Sequence, residues 1–330
     1  MKNLFLGMAM AFLMPLASAQ TTTTSNPEQD RALAFEAAGD SFYELKNWDE
    51  ALLEYQKEVK IFQQLSKKEP NDLDWAFSLG AAYTKIGNTY NALEKTDSAR
   101  LFYGKDLKIS QQLLKREPNN HVRKHGLAVP YYKIGNIYAQ QFETQDSALI
   151  FYLQFFDLSK QCYDEKPDAE DYEMFLLVAY KSVAKTYTEL ANYEKALEIN
   201  TQQLKFCQNA LKNKPDDLDM NLELVVVYQR IGQTYQNLNN LDKALEFYNK
   251  DLELSKVLVK KEPDNANLQN GLALSYAKLG DFYTNTNKTE AKKNMKLAKA
   301  IWEKLVKSEP DSDEYKDNLA TVTEDLKALK

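Results

Sequence analysis

Cysteine and histidine are both scarce in this chain, with two of each among 330 residues. So few ligands exclude a cysteine-based zinc cluster and a dense disulfide framework. The sequence also has no glycine-rich phosphate-binding loop and no strand-to-helix turn of the kind that exposes a catalytic serine. We therefore expect a protein that is not an enzyme and that carries no metal or cofactor.

Positive charge is not in excess, since the formal net charge is −6 and the pI is near 5.3. A chain with this balance lacks the basic surface that nucleic acids require. Acidic and basic residues are interspersed, a pattern typical of solvated helix faces. We expect no nucleic acid among the partners.

Long apolar runs are confined to the N-terminus. Lys2 precedes an apolar run from Leu4 to Leu13, which is too short to span a bilayer. Ala17-Ser18-Ala19 before Gln20 has the small-x-small pattern of a cleavage site. These features predict a secretory signal peptide.

The predicted signal peptide covers residues 1–19 and is cleaved after Ala19. A retained short N-terminal anchor is the alternative. Residues 20–29 form a polar tether, and no later segment is apolar enough for membrane insertion. The mature chain is therefore expected to be exported, with the periplasm and the extracellular space both open.

Six of the nine prolines recur at a nearly fixed spacing of 48, 49, 48, 48 and 47 residues. These prolines are Pro70, Pro118, Pro167, Pro215, Pro263 and Pro310. A period of this length predicts a repeat protein whose stacked units contact mainly their neighbours. Such an architecture favours binding over catalysis.

Other residues recur with the same period. The first is small, an aromatic residue follows three positions later, and an alanine follows after about twelve. The small residues are Gly39, Gly87, Gly135, Ala184, Gly232 and Gly280. The alanines are Ala51, Ala99, Ala148, Ala196, Ala244 and Ala291. Four residues after the alanine come Tyr55, Tyr103, Tyr152, Asn200, Tyr248 and Met295.

This pattern resembles the tetratricopeptide repeat, a helix-turn-helix unit. The small residue and the alanine let two helices approach closely, the aromatic residues fill the space beside them, and the proline ends the second helix. An Asn or Asp after the proline is suited to cap the next helix. The resemblance implies an all-α, right-handed α-solenoid that binds proteins or peptides.

The period exceeds the 34 residues usual for this family. The excess is divided between the two helices, about seven residues each, which is close to two helical turns. Each helix is therefore predicted to be two turns longer, with its faces in register. The six predicted repeats cover residues 30–70, 71–118, 119–167, 168–215, 216–263 and 264–310, followed by a capping helix at 311–330.

The resemblance implies that positions three before and one after each small residue face a concave groove. Some family members use a carboxylate clamp there to hold a peptide C-terminus. The residues similar to that clamp are Asn88, Asn136, Lys181 and Lys185. Thr84 stands where the first lysine of the clamp belongs, with Lys85 beside it, so the match is incomplete.

The candidate binding residues are Asn88, Tyr132, Asn136, Lys181, Lys185, Gln229 and Gln233. Amide and ammonium donors suit a carboxylate. The expected partner is a protein or extended peptide that is acidic or ends in a C-terminal carboxylate, and the expected function is a non-enzymatic scaffold. The alternative is a solute or glycan receptor that uses groove tyrosines such as Tyr132 as stacking surfaces.

Two further sets of residues, which we call columns, recur at a fixed distance before the small residues. The tyrosines four residues before them are predicted to be core, with a stacking platform as the alternative: Tyr83, Tyr131, Tyr180, Tyr228 and Tyr276. A basic series lies two residues before them: Lys85, Lys133, Arg230 and Lys278. It either flanks the groove or pairs with acidic residues of the next repeat.

The two cysteines and the two histidines each allow two interpretations. Cys162 and Cys207 are predicted as two buried free thiols, with a disulfide between repeats three and four as the alternative. His121 and His125 have the i, i+4 spacing of a metal pair. Two basic residues between them oppose a cation, so we predict two incidental histidines, with a metal pair as the alternative.

Repeat three is the least regular unit. Pro130 lies within its first helix and predicts a kink, because proline removes a backbone hydrogen bond there. Phe155 stands where other repeats carry Asp106 or Asp251. It predicts either an exposed apolar spot or tighter local packing.

Overall fold

The computed structural model describes residues 26–141 and 144–329, which contain thirteen α-helices and no strand. The helices are α1 (Pro27–Glu44), α2 (Trp48–Lys68), α3 (Leu73–Ala92), α4 (Thr96–Arg116), α5 (His121–Ala139), α6 (Gln145–Glu165), α7 (Glu170–Glu189), α8 (Tyr193–Asn213), α9 (Leu218–Asn237), α10 (Leu241–Lys261), α11 (Ala266–Tyr283), α12 (Lys288–Ser308) and α13 (Asp313–Ala328). The predicted all-α fold is confirmed. The predicted signal peptide lies outside the described residues, as does most of the tether.

Helices of two lengths alternate along the chain. The first helix of each predicted repeat has 18 to 20 residues, and the second has 21 in all six cases. These lengths agree with helices extended by about two turns. The repeat boundaries themselves stay predictions.

The chain is divided into two compact units. Helices α1 to α7 belong to the unit that ends at Ala191, and α8 to α13 belong to the unit that begins at Asn192. Within each unit, successive helices pack against one another in chain order. Neighbour-to-neighbour packing of helix pairs is the arrangement of an α-solenoid. None of the described helices combines the length and the apolar character that a membrane span needs.

The periodic prolines end the second helices as predicted. Each of these helices stops two residues before its proline, as α2 does at Lys68 before Pro70. Glu69, between them, has φ −125° and ψ 66°, because a following proline disfavours the helical conformation. At five of the six junctions the next helix is capped by a side chain, the exception being Ala169 before α7. Asp72, for example, accepts a hydrogen bond from the backbone N–H of Asp74 at 3.0 Å. The same cap recurs at Asn120, Asp217, Asn265 and Ser312.

The small residues let the two helices of a repeat come close. A Cβ atom added to Gly87 would lie 2.5 Å from Cε1 of Tyr103, closer than real Cβ contacts. The tyrosine ring therefore occupies the space that a side chain would take. The same relation joins Gly39 to Tyr55, Gly135 to Tyr152 and Gly232 to Tyr248.

The last helix closes its unit as predicted. Tyr315 and Val322 of α13 are buried against α12, and the other faces of α13 carry exposed charged residues. In the other unit, α5 continues through Pro130, which is buried. The kink predicted at Pro130 stays a prediction.

Candidate functional site

The seven predicted site residues are divided between the two units. Five lie before Ala191, namely Asn88 on α3, Tyr132 and Asn136 on α5, and Lys181 and Lys185 on α7. Gln229 and Gln233 lie on α9 of the other unit. A single groove that contains all seven residues stays a prediction.

Asn88 and Asn136 are held in place by tyrosines of the paired helix. The Tyr103 hydroxyl donates to Oδ1 of Asn88 at 2.9 Å, and the Tyr152 hydroxyl donates to Oδ1 of Asn136 at 2.7 Å. Both asparagines are half-buried, and their Nδ2 groups have no partner among the described residues. Each amide is thus oriented by its oxygen and keeps its N–H donors for a ligand. We call these two residues the tyrosine-held asparagines.

From the sequence pattern, these tyrosines were predicted to serve helix packing alone. Their second role is to bond the asparagine that lies 15 or 16 residues earlier in the chain. In the first repeat the same offset joins Asp40 to Tyr55, whose hydroxyl donates to Oδ1 of Asp40 at 2.7 Å. Either an amide or a carboxylate side chain can therefore occupy this position of the repeat and accept the tyrosine hydroxyl.

Lys85 lies beside Asp40 and is almost fully buried, with 3% of its side chain exposed. Its Nζ lies 2.7 Å from Oδ1 of Asp40 and 2.8 Å from Oε1 of Glu36. Both partners precede Lys85 by one repeat, so the predicted pairing with the next repeat is wrong for this lysine. Two carboxylates therefore neutralise the ammonium group, and they raise its pKa against the effect of burial.

Thr84 does not face a groove, and that prediction is wrong. Only 3% of Thr84 is exposed, and its hydroxyl donates to Oδ2 of Asp106 at 2.7 Å. The Thr84 side chain points inward, where its hydroxyl supplies a hydrogen-bond donor to this buried carboxylate. The Ser110 hydroxyl supplies a second one, donating to Oδ1 at 2.8 Å.

Buried acids recur on the second helices at one position of the repeat. Burial raises the pKa of Glu58 to about 8, of Asp106 to about 6 and of Asp251 to about 7. Asp251 accepts a hydrogen bond from the Ser275 hydroxyl at 2.8 Å. The Gln229 side chain also lowers the pKa of Asp251, so this candidate residue is directed toward an interior group.

Repeat three replaces the buried acid with Phe155, which is 1% exposed. The exposed apolar spot predicted there is therefore wrong, and the tighter packing is confirmed. The Tyr132 ring lies 4.9 Å from the Phe155 ring and 6.3 Å from the Tyr152 ring. Tyr132 is half-buried, and part of its ring surface is used in these contacts.

The remaining candidate residues differ in exposure. Lys181 is half-buried on α7. Lys185 has 66% of its side chain exposed and pairs with Glu189 at 3.3 Å, a solvated pair that contributes little to stability. Gln233 donates through Nε2 to Oδ1 of Asn237 at 3.3 Å.

The tyrosine column takes part in helix packing, in agreement with the predicted core role. Tyr83 and Tyr180 are buried. Tyr131 and Tyr228 are half-buried and lie 6.2 Å and 6.0 Å from phenylalanine rings of the paired helix. This column therefore has little free surface for stacking a ligand.

The two histidines have separate environments. His121 Nδ1 lies 2.8 Å from the Tyr172 hydroxyl. His125 lies 4.3 Å from the Phe175 ring, and its buried Nε2 has no hydrogen-bond partner in the part of the chain that the structure describes. Burial lowers the pKa of His125 to about 4. Within the described residues no three potential metal ligands converge.

Both cysteines are buried, and each keeps a reduced thiol. The Cys162 thiol lies 3.7 Å from the backbone oxygen of His121. Burial raises the pKa of Cys162 to about 12. The disulfide that was the alternative prediction is not formed.

Solved structures of other proteins have a similar fold. The structure of BtubC from P. vanneervenii is similar with a TM-score of 0.54 and 16% identity, over 84% of this chain and 91% of that one. The apo form of RapI gives a TM-score of 0.54 and 14% identity, over 90% and 95%. Nro1, described as a nuclear import adaptor, gives 0.50 and 11%, over 89% and 92%. No curated protein matches the chain in sequence.

The fold is thus that of a helical-repeat solenoid. The family model of the tetratricopeptide repeat matches residues 225–257, within α9 and α10. The matched segment and the shared fold together confirm the resemblance of this chain to tetratricopeptide repeat proteins.

Proposed function

We propose that this protein is an exported, non-enzymatic scaffold that binds an extended segment of another protein around Asn88 and Asn136. The supporting observation is the orientation of the tyrosine-held asparagines. Each carbonyl oxygen is occupied by a tyrosine hydroxyl, and each Nδ2 group is left without a partner among the described residues. The two amides therefore offer donors at equivalent positions of successive repeats.

An extended polypeptide supplies the acceptors that such donors need. Its backbone carbonyl groups are unpaired, and its acidic side chains or C-terminus carry carboxylates. Asp40 at the same position of the first repeat is instead an acceptor and already binds Lys85. The proposed site is therefore centred on repeats two and three.

Export is the second part of the proposal and is supported by the sequence of residues 1–19 alone. N-terminal sequencing of the protein recovered from an envelope or culture fraction tests it. We expect the mature chain to begin at Gln20. Recovery of the protein with Met1 intact, in the cytoplasm only, would contradict export.

A test of binding uses two variants with the same change of charge. Asn88→Asp with Asn136→Asp keeps the oxygen that accepts the tyrosine hydroxyl, as Asp40 does naturally, but replaces the N–H donors with a carboxylate. Asn71→Asp with Asn119→Asp makes the same substitutions at two exposed asparagines in turns, also one repeat apart. Circular dichroism checks that both variants are folded.

Affinity capture from envelope and secreted extract then compares the wild type with both variants. We expect a captured protein that is retained by the wild type and by the turn variant but lost by the Asn88/Asn136 variant. Equal capture by all three would reject the asparagine site. Capture should also weaken with salt, because charges contribute to the contact.

The alternative function, a glycan or solute receptor, depends on Tyr132 as a stacking surface. The contacts of Tyr132 with Phe155 and Tyr152 give it less support. Glycan screening distinguishes the two functions, since stacking of a neutral sugar does not weaken with salt. A glycan bound by the wild type and lost in Tyr132→Ala, with no captured protein, would favour the alternative.

A further inference from the structure

Lys85 and Lys133 occupy the same position of the repeat, 48 residues apart, on α3 and α5. Their electrostatic environments differ. Lys85 binds Glu36 and Asp40, which lie 49 and 45 residues before it on α1. The period of 48 places Thr84 and Asn88 of α3 at the equivalent positions relative to Lys133.

Neither Thr84 nor Asn88 can neutralise Lys133. Thr84 is uncharged, and its hydroxyl donates to Asp106. The Asn88 oxygen already accepts the Tyr103 hydroxyl. The replacement of two carboxylates by a hydroxyl and an amide leaves Lys133 without a counter-charge at these two positions.

Lys133 is also poorly solvated. It is half-buried, and it forms no hydrogen bond or ion pair with any residue in the described part of the chain. Removal of water from the ammonium group lowers the pKa of Lys133 to about 8. Lys85, although more deeply buried, has its pKa raised by its carboxylate partners.

We propose that Lys133, with the Nδ2 donor of Asn88, is the anchor for a carboxylate of the bound segment, which takes the place that Asp40 holds against Lys85. The inference rests on the proposed function, since it names the chemistry that the peptide must present. One ammonium group and an amide donor match the single charge of a carboxylate. A phosphate dianion carries about twice that charge and is typically bound by several cations, often arginines.

A carboxylate at this site has two sources, an acidic side chain or a chain terminus. Three blocked pentapeptides distinguish them: acetyl-pentaglutamate amide, acetyl-pentaalanine with a free C-terminal carboxylate, and acetyl-pentaglutamine amide. The first presents side-chain carboxylates, the second a terminal carboxylate, and the third neither.

The protonation state of Lys133 is measured by brief acetylation with an N-hydroxysuccinimide ester at pH 7.5. Mass spectrometry quantifies the acetylation of each lysine. Only the neutral amine reacts, so free Lys133 should be acetylated at least about tenfold faster than Lys85. A bound carboxylate that returns the pKa to near 10.4 lowers the neutral fraction roughly a hundredfold. We therefore expect at least about tenfold protection of Lys133 by one or both carboxylate peptides, and none by pentaglutamine.

Two variants test the geometry, one in the free protein and one with the peptide. Asn88→Asp rebuilds the carboxylate that Lys85 has in Asp40, so acetylation of Lys133 should fall about tenfold in the free protein. Lys133→Met should weaken the binding of the protecting peptide, measured by calorimetry, by about tenfold or more. Lys115→Met changes the same charge at an exposed position of α4 and should leave binding unchanged.

The outcomes separate this inference from the proposed function. Protection of Lys133 by a carboxylate peptide supports the anchor even if extract capture is unaffected by the asparagine variants. Equal acetylation of Lys133 with all three peptides and without them overturns the anchor, even if capture depends on Asn88 and Asn136. Slow acetylation of Lys133 in the free wild type, equal to that of Lys85, also overturns it.

Discussion

The Thr84 hydroxyl donates to Oδ2 of Asp106 at 2.7 Å in the interior between α3 and α4. Asp106 is 4% exposed. Burial raises the pKa of Asp106 to about 6, although the hydrogen bonds from Thr84 and Ser110 lower it in part. A buried carboxylate with two hydroxyl donors, and with no cationic partner among the described residues, is expected to respond to pH.

We expect Asp106→Asn to change the pH dependence of stability. The pKa in the folded protein, about 6, lies above the ordinary value of 3.8, so the folded state binds the proton more tightly than the unfolded state. The stabilisation associated with this proton is present below pH 4 and is lost as the pH rises through 6. The wild type should therefore lose up to about 3 kcal/mol relative to Asp106→Asn between pH 4 and pH 8. Urea unfolding across this range measures the difference.

The control for Asp106 is Asp49→Asn, since Asp49 is exposed on α2. Its difference from the wild type should not change over the same pH range. A pH profile of Asp106→Asn parallel to that of the wild type would show that Asp106 stays charged when buried.

Gly87→Ala should destabilise the protein, because its Cβ would lie 2.5 Å from the Tyr103 ring. The ring has little freedom to move, since its hydroxyl is bonded to Asn88. We expect a loss of about 1 to 3 kcal/mol, the usual cost of overpacking. Gly104→Ala in the paired helix is the control, because nothing lies within 4 Å of its added Cβ. That variant should gain about 0.5 to 1 kcal/mol from helix propensity, and equal effects of the two substitutions would contradict the close contact.

His125 should titrate far below an ordinary histidine. Burial lowers the pKa of His125 to about 4, so the folded state holds it neutral while the unfolded state binds a proton near pH 6.5. Its contribution to stability is complete above pH 6.5 and is lost as the pH falls toward 4. NMR titration of the two histidine C2–H resonances measures this directly. A resonance assigned to His125 by its loss in His125→Phe, with a midpoint above 6, would contradict the burial.

The two cysteines should be unreactive until the protein unfolds. Burial and the raised pKa of the Cys162 thiol suppress the thiolate that reacts with disulfide reagents. We expect no reaction with Ellman's reagent under native conditions and two thiols per chain in denaturant. Two thiols in native conditions would show that the helices open readily, and none in denaturant would show a disulfide.

The periodic features were predictable because they depend on local stereochemistry. A proline disfavours the helical conformation in the residue before it, wherever the chain lies. A glycine that faces a tyrosine on the paired helix is a steric requirement of close packing. Six periodic prolines and four glycine–tyrosine pairs were enough to predict a series of paired helices.

The direction of individual side chains was less predictable. Thr84 and Lys85 are adjacent, and a helix turns by about 100° between them, yet both are buried because a partner lies near each one. Thr84 forms a hydrogen bond with the buried Asp106, and Lys85 forms ion pairs with Asp40 and Glu36. Those partners are 22 to 49 residues away in sequence, and no local pattern marks the pairing.

The sequence alone determined the all-helical repeat architecture of this protein. Proline ends a helix through its covalent geometry, and glycine and alanine allow two helices to come into close contact, so the periodic pattern of these residues is enough to predict the repeat. Only the tertiary structure decided which polar groups are occupied and which remain for a ligand. The tyrosine hydroxyls on Asn88 and Asn136 and the absence of a counter-charge for Lys133 among the described residues depend on helix-to-helix distances. Hydrogen bonds and ion pairs form over about 3 to 4 Å, and the packed helices set those separations.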